Sequence, residues 1–252
     1  MKAVAYSSDD LAGRNIAGIL SKEFNISAVE VSGNLKNETT FQESPDVCIV
    51  ASRHKSESGK PTLTCHATGN FGRADMGGIE GHLQLTNALY LRMALLLLKE
   101  KQQAYNLPYD VSLEVTHHGP TELSFPLLYV EVGSGEEQWN DLTACRAAAE
   151  VIFELYSSEP EKVPVAIGFG GPHYAPNFSE IIRNVALGHI MPKHAALHAS
   201  REMVEQMIAK TMPKPDFAVL DWKGLKSEEK RKVENILGEL GLPWKKTSEL
   251  KD

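Results

Sequence analysis

The stretch TNALYLRMALLLLKEKQQAYNLPYDVSLEVT (residues 86–116) contains the strongest helix that the sequence predicts and a clear strand. Leu, Tyr, Met and Ala recur at helical spacing over residues 86–103, and Thr86 is placed to cap that helix. Residues 111–116 then alternate as a strand does when one side is buried. A buried helix followed by a strand indicates an α/β protein.

Outward from this stretch, strands and helices alternate along most of the chain. Further strands are predicted at residues 1–6, 26–31, 46–51, 63–67, 127–132, 163–169 and 217–221, and further helices at residues 10–24, 141–156, 200–211 and 226–240. The alternation predicts a single α/β domain over residues 1–252, with a mixed, mainly parallel sheet flanked by helices. Ligands of such sheets bind beyond the carboxyl ends of the strands.

Composition excludes several classes of protein. The formal net charge of -7 opposes a broad grip on nucleic acid, so we expect no DNA partner. The richest apolar run, residues 89–98, is interrupted by Arg92 and followed by charged residues, so we expect no membrane span. The N-terminus lacks the apolar stretch of a signal peptide. We therefore expect a cytoplasmic protein and favour a monomer.

Three segments place histidines directly after predicted strands. His54 and His66 lie in residues 51–71, His117 and His118 in residues 115–122, and His173 in residues 167–176. Histidine is the natural general acid or base near neutral pH. One such histidine usually makes a structural hydrogen bond, but three segments of this kind in one domain favour a shared functional pocket.

The orientation of these side chains is partly predictable. Adjacent His117 and His118 point to opposite sides of an extended chain, so at most one is expected to face a given pocket unless the chain turns there. Glu122 and Glu131 are the nearby carboxylates that we expect to orient an imidazole or polarise a water molecule.

Spacing alone gives little indication of a metal site. The sequence contains no HExxH, HxH or CxxC motif, and Cys48, Cys65 and Cys145 are interpreted as buried free thiols. His194 and His198 are four residues apart, but a surface or capping role is the favoured interpretation. A metal site assembled from distant strands stays possible.

Two glycine-rich segments, residues 69–78 and 168–171, match neither the dinucleotide-binding fingerprint nor the P-loop. Their backbone amides suit a tight turn or the close approach of a ligand, including the oxyanion of an ester hydrolysis. Because no GxSxG motif is present, water activated by a base is the simpler hydrolytic mechanism.

Two basic clusters are candidates to contact RNA. One comprises Arg53, Lys55 and Lys60, and the other comprises Lys223, Lys226, Lys230, Arg231, Lys232, Lys245 and Lys246 near the C-terminus. The second cluster also contains glutamates, so a solvated helix face is an equally good interpretation. Phe71, Tyr174 and Phe178 are candidates to stack on a terminal adenine, although packing under a loop is the commoner role.

Five segments resemble the archaeal and plant D-aminoacyl-tRNA deacylase family. They are SRHKS (52–56), TCHATGNF (64–71), THHGPTE (116–122), YVEVGS (129–134) and GFGGPHY (168–174). The resemblance runs over nearly the whole chain and is weakest near the C-terminus. It implies a fold related to phosphorylases and peptidyl-tRNA hydrolases, and hydrolysis of D-aminoacyl-tRNA to free D-amino acid and tRNA. It also implies zinc, which residue spacing does not.

The resemblance and the histidine pattern together predict roles for individual residues. His118 or His173 is expected to act as the base. His117 is a further catalytic candidate, and Glu122 or Glu131 is expected to orient the imidazole. Candidates to bind the aminoacylated acceptor end of tRNA are Arg53, His54, His66, Thr68, Asn70, Phe71, Gly170, Gly171 and Tyr174. Candidate zinc ligands are His54, His66, His117 and His173, where zinc would lower the pKa of the attacking water.

Three alternative functions stay open at this point. A peptidyl-tRNA hydrolase or other amidohydrolase would cleave a different bond. A nucleoside phosphorylase-like enzyme would need an arginine in its phosphate pocket, for which Arg53 and Arg73 are the candidates. A noncatalytic RNA-binding module would bind the acceptor end without turnover, which the concentration of histidines argues against.

Overall fold

Two mainly parallel sheets organise the chain in the computed structural model, which describes residues 1–33, 41 and 43–251. The elements in chain order are β1 (Lys2–Ser7), α1 (Leu11–Phe24), β2 (Val29–Val31), β3 (Val47–Lys55), β4 (Thr62–His66), β5 (Thr86–Asn87), α2 (Ala88–Ala104), β6 (Asp110–Leu113), β7 (Leu127–Ser134), α3 (Glu136–Trp139), α4 (Leu142–Ser157), β8 (Val165–Phe169), α5 (Pro176–Glu180), β9 (Ala186–Met191), α6 (Lys193–Ala196), α7 (Arg201–Ala209), β10 (Thr211–Met212), β11 (Phe217–Leu220), α8 (Ser227–Glu239) and β12 (Trp244–Lys246).

The larger sheet has the strand order β2-β1-β3-β7-β4-β6, in which β4 runs antiparallel to β7 and the other neighbours are parallel. The smaller sheet, β12-β11-β8-β9, is parallel throughout. These sheets confirm the predicted mixed, mainly parallel α/β fold flanked by helices. Among the described residues, no helix is both long and apolar enough to cross a membrane.

Side-chain caps fix where two long helices begin. The carboxylate of Asp10 accepts a hydrogen bond from the amide of Gly13 at the start of α1. The side chain of Asn87 accepts hydrogen bonds from two amides of the first turn of α2. The prediction that Thr86 caps this helix is therefore wrong by one residue. Thr86 is buried, and its hydroxyl donates instead to the carbonyl of Leu127.

Alternation along the strands gives the larger sheet two different faces. The apolar face carries Ile49, Ala51, Leu63, Cys65, Val130 and Val132, which pack in one hydrophobic core with residues of α1, α2 and α4. The polar face carries Ser52, His54, Thr64, His66, Tyr129 and Glu131. One face of the smaller sheet contributes to a second hydrophobic cluster. There Ile167 and Leu220 pack with residues of α7 and α8.

Two strand predictions end differently in the structure. Residues 26–31 form a strand at Val29–Val31, because the left-handed Asn25 ends α1 and the amide of Ile26 still donates to Leu20. Residues 111–116 form a strand at Asp110–Leu113, because the chain then leaves β4. The amide of Val115 donates to His173, and that of Thr116 donates to Ile190 in β9. This departure brings the second histidine segment to the third.

Candidate active site

Two buried carboxylates form the centre of the candidate site. Glu114 follows β6 and is 2% exposed, and Glu131 lies in β7 on the polar face and is 3% exposed. A buried carboxylate is strongly unfavourable unless cationic or hydrogen-bonding groups surround it. Imidazoles from all three predicted histidine segments supply those groups, which places the segments in one site.

His54 lies between the two carboxylates. Its Nδ1 is 3.0 Å from Oε1 of Glu114 and 3.5 Å from Oε2 of Glu131, and its Nε2 is 2.9 Å from the hydroxyl of Tyr174. Burial opposes a charge on His54, but the contacts with Glu114 and Glu131 outweigh it and raise its pKa to about 11. His54 is therefore an imidazolium at neutral pH.

His66 faces the second carboxylate from β4. Its Nδ1 donates to the carbonyl of Ala67 at 3.0 Å, and its Nε2 lies 3.6 Å from Oε2 of Glu131. Despite complete burial, the contact with Glu131 raises the pKa of His66. Burial in turn opposes the charge of Glu131, but the neighbouring imidazoles of His54 and His66 lower its pKa to about 2.

The second oxygen of Glu114, Oε2, contacts two further imidazoles. Nε2 of His173 lies 3.0 Å and Nε2 of His117 lies 3.4 Å from Oε2 of Glu114. Burial alone would raise the pKa of Glu114, but contacts with His173 and His54 hold it well below its usual range. Glu114 is thus an anion in contact with His54, His117 and His173.

His118 occupies a backbone conformation that non-glycine residues rarely adopt, with φ of 44°. The chain therefore turns here, which is the condition under which both His117 and His118 were expected to face one pocket. Their ring centroids lie 4.5 Å apart, and both rings pack against His66. Nδ1 of His118 donates to the carbonyl of Gly119 at 2.6 Å. Burial, together with the charge of His66, lowers the pKa of His118 to about 4, which leaves Nε2 with a free lone pair at neutral pH.

Two cavities meet at His118. The smaller, of about 640 Å³, is lined by Ser52, Arg53, Tyr129 and Glu131 and by Asp9 and Asp10. The larger, of about 840 Å³, is lined by Phe71, Gly171, His117 and His173 and by the segment after β9. Asp75, Met76 and His118 line both. A neutral imidazole therefore stands where a ligand extending across both cavities would pass.

Several predicted binding residues make structural contacts, although Asn70 also lines the larger cavity. The hydroxyl of Thr68 donates to the carbonyl of Pro120. The side-chain amide of Asn70 donates to the carbonyls of Gly77 and Ile79, which fixes the loop whose tip separates the two cavities. Gly170 packs closely against Asp221 and Leu225 at φ of 106°. Phe178, predicted as a stacking candidate, is fully buried in the core.

Of the two carboxylates expected to orient the catalytic imidazole, one lies among the histidines and the other does not. Glu131 lies in the site, whereas the side chain of Glu122 is exposed and lines neither cavity. Glu114 instead contacts His173, one of the two candidate bases that Glu122 or Glu131 was expected to orient. The signal for Glu114 was present, because it is the charged residue within the otherwise uncharged strand pattern VSLEVT (111–116).

The arrangement of donor atoms fits a metal ion. Both oxygens of Glu114 and Nε2 of His66 are buried without a hydrogen bond, although imidazole nitrogens lie near them. In His66, His117 and His118, Nδ1 donates to a backbone carbonyl, so Nε2 is left as a ligand atom. Three sets bring potential ligand atoms within 4.8 Å of one another: His66, His117 and His118; His54, Glu114 and His173; and His66, Glu114 and Glu131.

Comparison with known proteins gives consistent results. A sequence model of the family described as D-aminoacyl-tRNA deacylase matches residues 41–245. A D-aminoacyl-tRNA deacylase of Methanosarcina barkeri is 41% identical over 207 residues, which are 81% of this chain and 66% of that protein. One of Korarchaeum cryptofilum is 37% identical over 254 residues, which are 95% of this chain and 91% of that protein. This chain thus spans about two thirds of the Methanosarcina protein.

A solved structure is similar to this chain over its whole length. The crystal structure of a conserved protein of unknown function, AF0625, has a TM-score of 0.92 and 28% sequence identity, and covers 100% of this chain and 96% of its own. Both the sequence match and the fold therefore include the strands and turns that carry the histidines. The chain belongs to the D-aminoacyl-tRNA deacylase family.

Proposed function

We propose that this chain hydrolyses the ester bond of D-aminoacyl-tRNA, releasing free D-amino acid and tRNA as a chiral proofreading step of translation. The observation that carries the proposal is His118, a neutral imidazole where two cavities meet, in a family whose members bear the name of this activity. The aminoacylated end of tRNA also has two parts, a nucleoside on one side of the ester and an amino acid on the other, and each part would occupy one cavity.

The larger cavity suits the terminal adenosine. Its volume of about 840 Å³ exceeds that of the smaller cavity, and Phe71 lines it as a ring available for base stacking. The smaller cavity suits the amino acid, because the carboxylates of Asp9, Asp10 and Glu131 line it and attract the α-ammonium group. The ester between the two parts then lies beside His118.

His118 is the proposed general base. Its free Nε2 removes a proton from a water molecule whose oxygen attacks the ester carbonyl carbon. The resulting tetrahedral oxyanion collapses, the bond to the ribose oxygen breaks, and that oxygen takes the proton back from the imidazolium. The hydrogen bond from Nδ1 to Gly119 keeps the ring in the tautomer that this sequence of steps requires.

The oxyanion needs hydrogen-bond donors in a site shielded from water. Tyr129 supplies one, because burial raises its pKa and keeps the phenol protonated, and its ring packs against His118 at a centroid distance of 5.1 Å. Tyr129 also lines the smaller cavity beside Glu131. Gly171, with φ of 86°, lines the larger cavity and is the proposed backbone donor.

Zinc is the metal that we propose for the site. Two of the three sets would each supply three ligands to it: His66, Glu114 and Glu131, or His54, Glu114 and His173. Imidazole and carboxylate are ordinary zinc ligands. Bound zinc would lower the pKa of a coordinated water and polarise the ester carbonyl. The cation would also compensate the two buried carboxylates, whose negative charge is now balanced by His54 and His66.

The proposed partner is the acceptor end of aminoacyl-tRNA, handled by a protein that acts as a monomer in the cytoplasm. Arg53 is a proposed contact to it, because its guanidinium lines the smaller cavity and lies over the Trp139 ring at 5.2 Å. Tyr174, His54 and His66 are proposed to position the carboxylates rather than to bind the substrate directly.

A substrate panel tests the proposed function. Single-turnover rates would be measured on tRNA charged with a D-amino acid, with the L form of the same amino acid, and with the N-acetylated L form. We expect hydrolysis of the D ester at least 100-fold faster than of the L ester, a ratio that corresponds to about 2.7 kcal/mol. Preference for the N-acetylated substrate would instead identify a peptidyl-tRNA hydrolase and overturn the proposal.

A further inference from the structure

The carboxyl ends of the strands of the smaller sheet form one continuous edge. Leu220 of β11 is paired with Lys246 of β12 and with Phe169 of β8, and Phe169 is paired with Met191 of β9. Because neighbouring strands are about 4.8 Å apart, β12 lies only about 10 Å from β8. Segments that follow these parallel strands therefore emerge side by side.

Two of these segments belong to the active site. After β8 the chain reaches His173, whose Nε2 is 3.0 Å from Glu114. After β9 it reaches Lys193 and His194, which are exposed and line the larger cavity. This end of the edge is thus the mouth of the cavity proposed for the terminal adenosine.

The segments at the other end carry cations on an aromatic base. Trp222 follows β11, and its ring stacks on Trp244 with centroids 5.5 Å apart and planes 7° apart. The ammonium nitrogens of Lys230 and Lys246 lie 4.6 Å and 4.8 Å from the centroid of the Trp222 ring. Cation–π attraction holds both charges at this place. Lys223, the next residue along the chain, is exposed beside them.

In the described part of the chain, these ammonium groups form no ion pairs, although the carboxylate of Glu249 accepts a hydrogen bond from the backbone amide of Lys246. Within residues 1–33, 41 and 43–251, no ion pair includes Lys193, Lys223, Lys230 or Lys246. Nearby Glu229 accepts a hydrogen bond from the amide of Lys226 and is buried. In a chain of net charge -7, a row of free ammonium groups leading to a cavity mouth attracts a polyanion at that place.

We propose that this basic edge, formed by Lys193, Lys223, Lys230 and Lys246, binds the sugar–phosphate backbone of the tRNA acceptor arm and directs its 3′ end into the larger cavity. The inference rests on the proposed function for the identity of the RNA. Lysine ammonium groups contact phosphates as point charges and do not read base sequence. The edge therefore does not discriminate between tRNA sequences.

The test compares two triple variants that each remove three positive charges. The edge variant carries Lys223→Gln, Lys230→Gln and Lys246→Gln. The control variant carries Lys22→Gln, Lys162→Gln and Lys214→Gln. All three lysines are exposed. Lys162 and Lys214 precede β8 and β11, so they lie near the amino ends of these strands, opposite the basic edge. For each protein, kcat/KM is measured on D-aminoacyl-tRNA and on 3′-O-D-aminoacyl-adenosine, at several salt concentrations.

We expect the ratio of kcat/KM for tRNA to kcat/KM for the adenosine ester to fall at least tenfold in the edge variant, through KM, and to change less than twofold in the control variant. The log–log salt dependence of tRNA binding should weaken by about 2–3, because each of three phosphate contacts contributes about 0.7 in a single strand and about 0.9 in a duplex. An equal loss on both substrates, or an equal loss in the control variant, would overturn the inference.

The inference and the proposed function fail in distinguishable ways. If neither substrate is hydrolysed by the parent protein, the proposed function is wrong. Fluorescence anisotropy of uncharged tRNA then decides the surface separately. Binding at least tenfold weaker in the edge variant than in the control variant supports an RNA-binding edge, and equal binding by the two variants refutes it.

Discussion

The apolar and polar faces of the larger sheet come from the same strands and differ in almost every physical respect. In β7, Val130 and Val132 are buried against the helices, whereas Tyr129 and Glu131 face the histidines. The apolar face is filled with hydrocarbon, while the polar face contains buried atoms without hydrogen bonds, including both oxygens of Glu114. A two-residue alternation thus lets one strand contribute both to the hydrophobic core and to the candidate site.

This comparison teaches that stability and activity should respond to different substitutions. The buried charges of the polar face are unfavourable in themselves, so the packing of α1, α2 and α4 against the apolar face must hold that arrangement together. Changes on the polar face should reduce activity more than stability. Changes on the apolar face should do the reverse.

The largest expected effect is on the polar face. Replacing His118 with alanine should lower the single-turnover rate about 100-fold to 10,000-fold, since a positioned general base contributes about that much. Thermal unfolding should change less than the rate, because His118 lines both cavities and the space left by its ring opens onto them rather than into the hydrophobic core. His82→Ala is the matched control, since His82 is exposed and lines neither cavity. Equal rates in the two variants would rule out His118 as the base.

A substitution on the apolar side should give the opposite result. Leu95 lies in α2 and is fully buried in the core. Leu95→Ala should reduce the free energy of unfolding by about 2–5 kcal/mol, through lost burial and the cavity left behind. Urea titration measures this loss of stability. At urea concentrations well below the unfolding midpoint, the deacylation rate of the variant should stay within about threefold of the parent rate. Leu142→Ala, at a position 63% exposed, is the control. A stable variant with a collapsed rate would contradict the division of roles.

Acid stability sharpens the comparison with a buried histidine outside the cluster. His189 is fully buried, hydrogen-bonds the carbonyl of Gln84, and burial lowers its pKa to about 4. Unfolded histidine titrates near 6.5, so between that pH and about 4 the unfolded state binds the extra proton. Stability should therefore fall as pH decreases through this window, by up to about 3 kcal/mol. The loss should be smaller in His189→Gln, and an unchanged pH slope would contradict the assignment.

The smallest expected effect concerns a helix that covers the apolar face. Asn87→Ala removes the cap of α2 and should cost about 1 kcal/mol of stability without changing the rate. Asn87→Ser keeps a capping oxygen and should recover most of that loss. Chemical denaturation of the two variants tests the difference, and equal stability would show that the cap contributes nothing.

Much of this architecture was predictable because it depends on local patterns. The apolar periodicity of residues 86–103 and 141–156 predicted α2 and α4 closely, and the histidines after strands predicted a shared site. Strand β9 was not predicted, because its sequence ALGHIM contains a glycine and a histidine within a fully buried strand. The sequence does not reveal which residues of the fold this glycine and this histidine pack against.

The finer geometry of the site could not be predicted for a related reason. The turn at His118, which brings two adjacent histidines together, depends on contacts across the fold, including the close approach of Gly119 to Gly78. Glu114 was interpreted as part of a strand, and its role depends on the chain leaving β4 to meet His173. Such long-range packing determines which carboxylate meets the imidazoles.

In the proposed mechanism, catalysis takes place where the two cavities meet on the polar face. A crystal structure with a non-hydrolysable 3′-D-aminoacylamino-adenosine tests it most directly. We expect adenine beside Phe71 and the carbonyl carbon about 3–3.5 Å from a water molecule that is hydrogen-bonded to Nε2 of His118. An analogue bound elsewhere, or bound with its carbonyl remote from His118, Glu114 and Glu131, would rule out catalysis at this place.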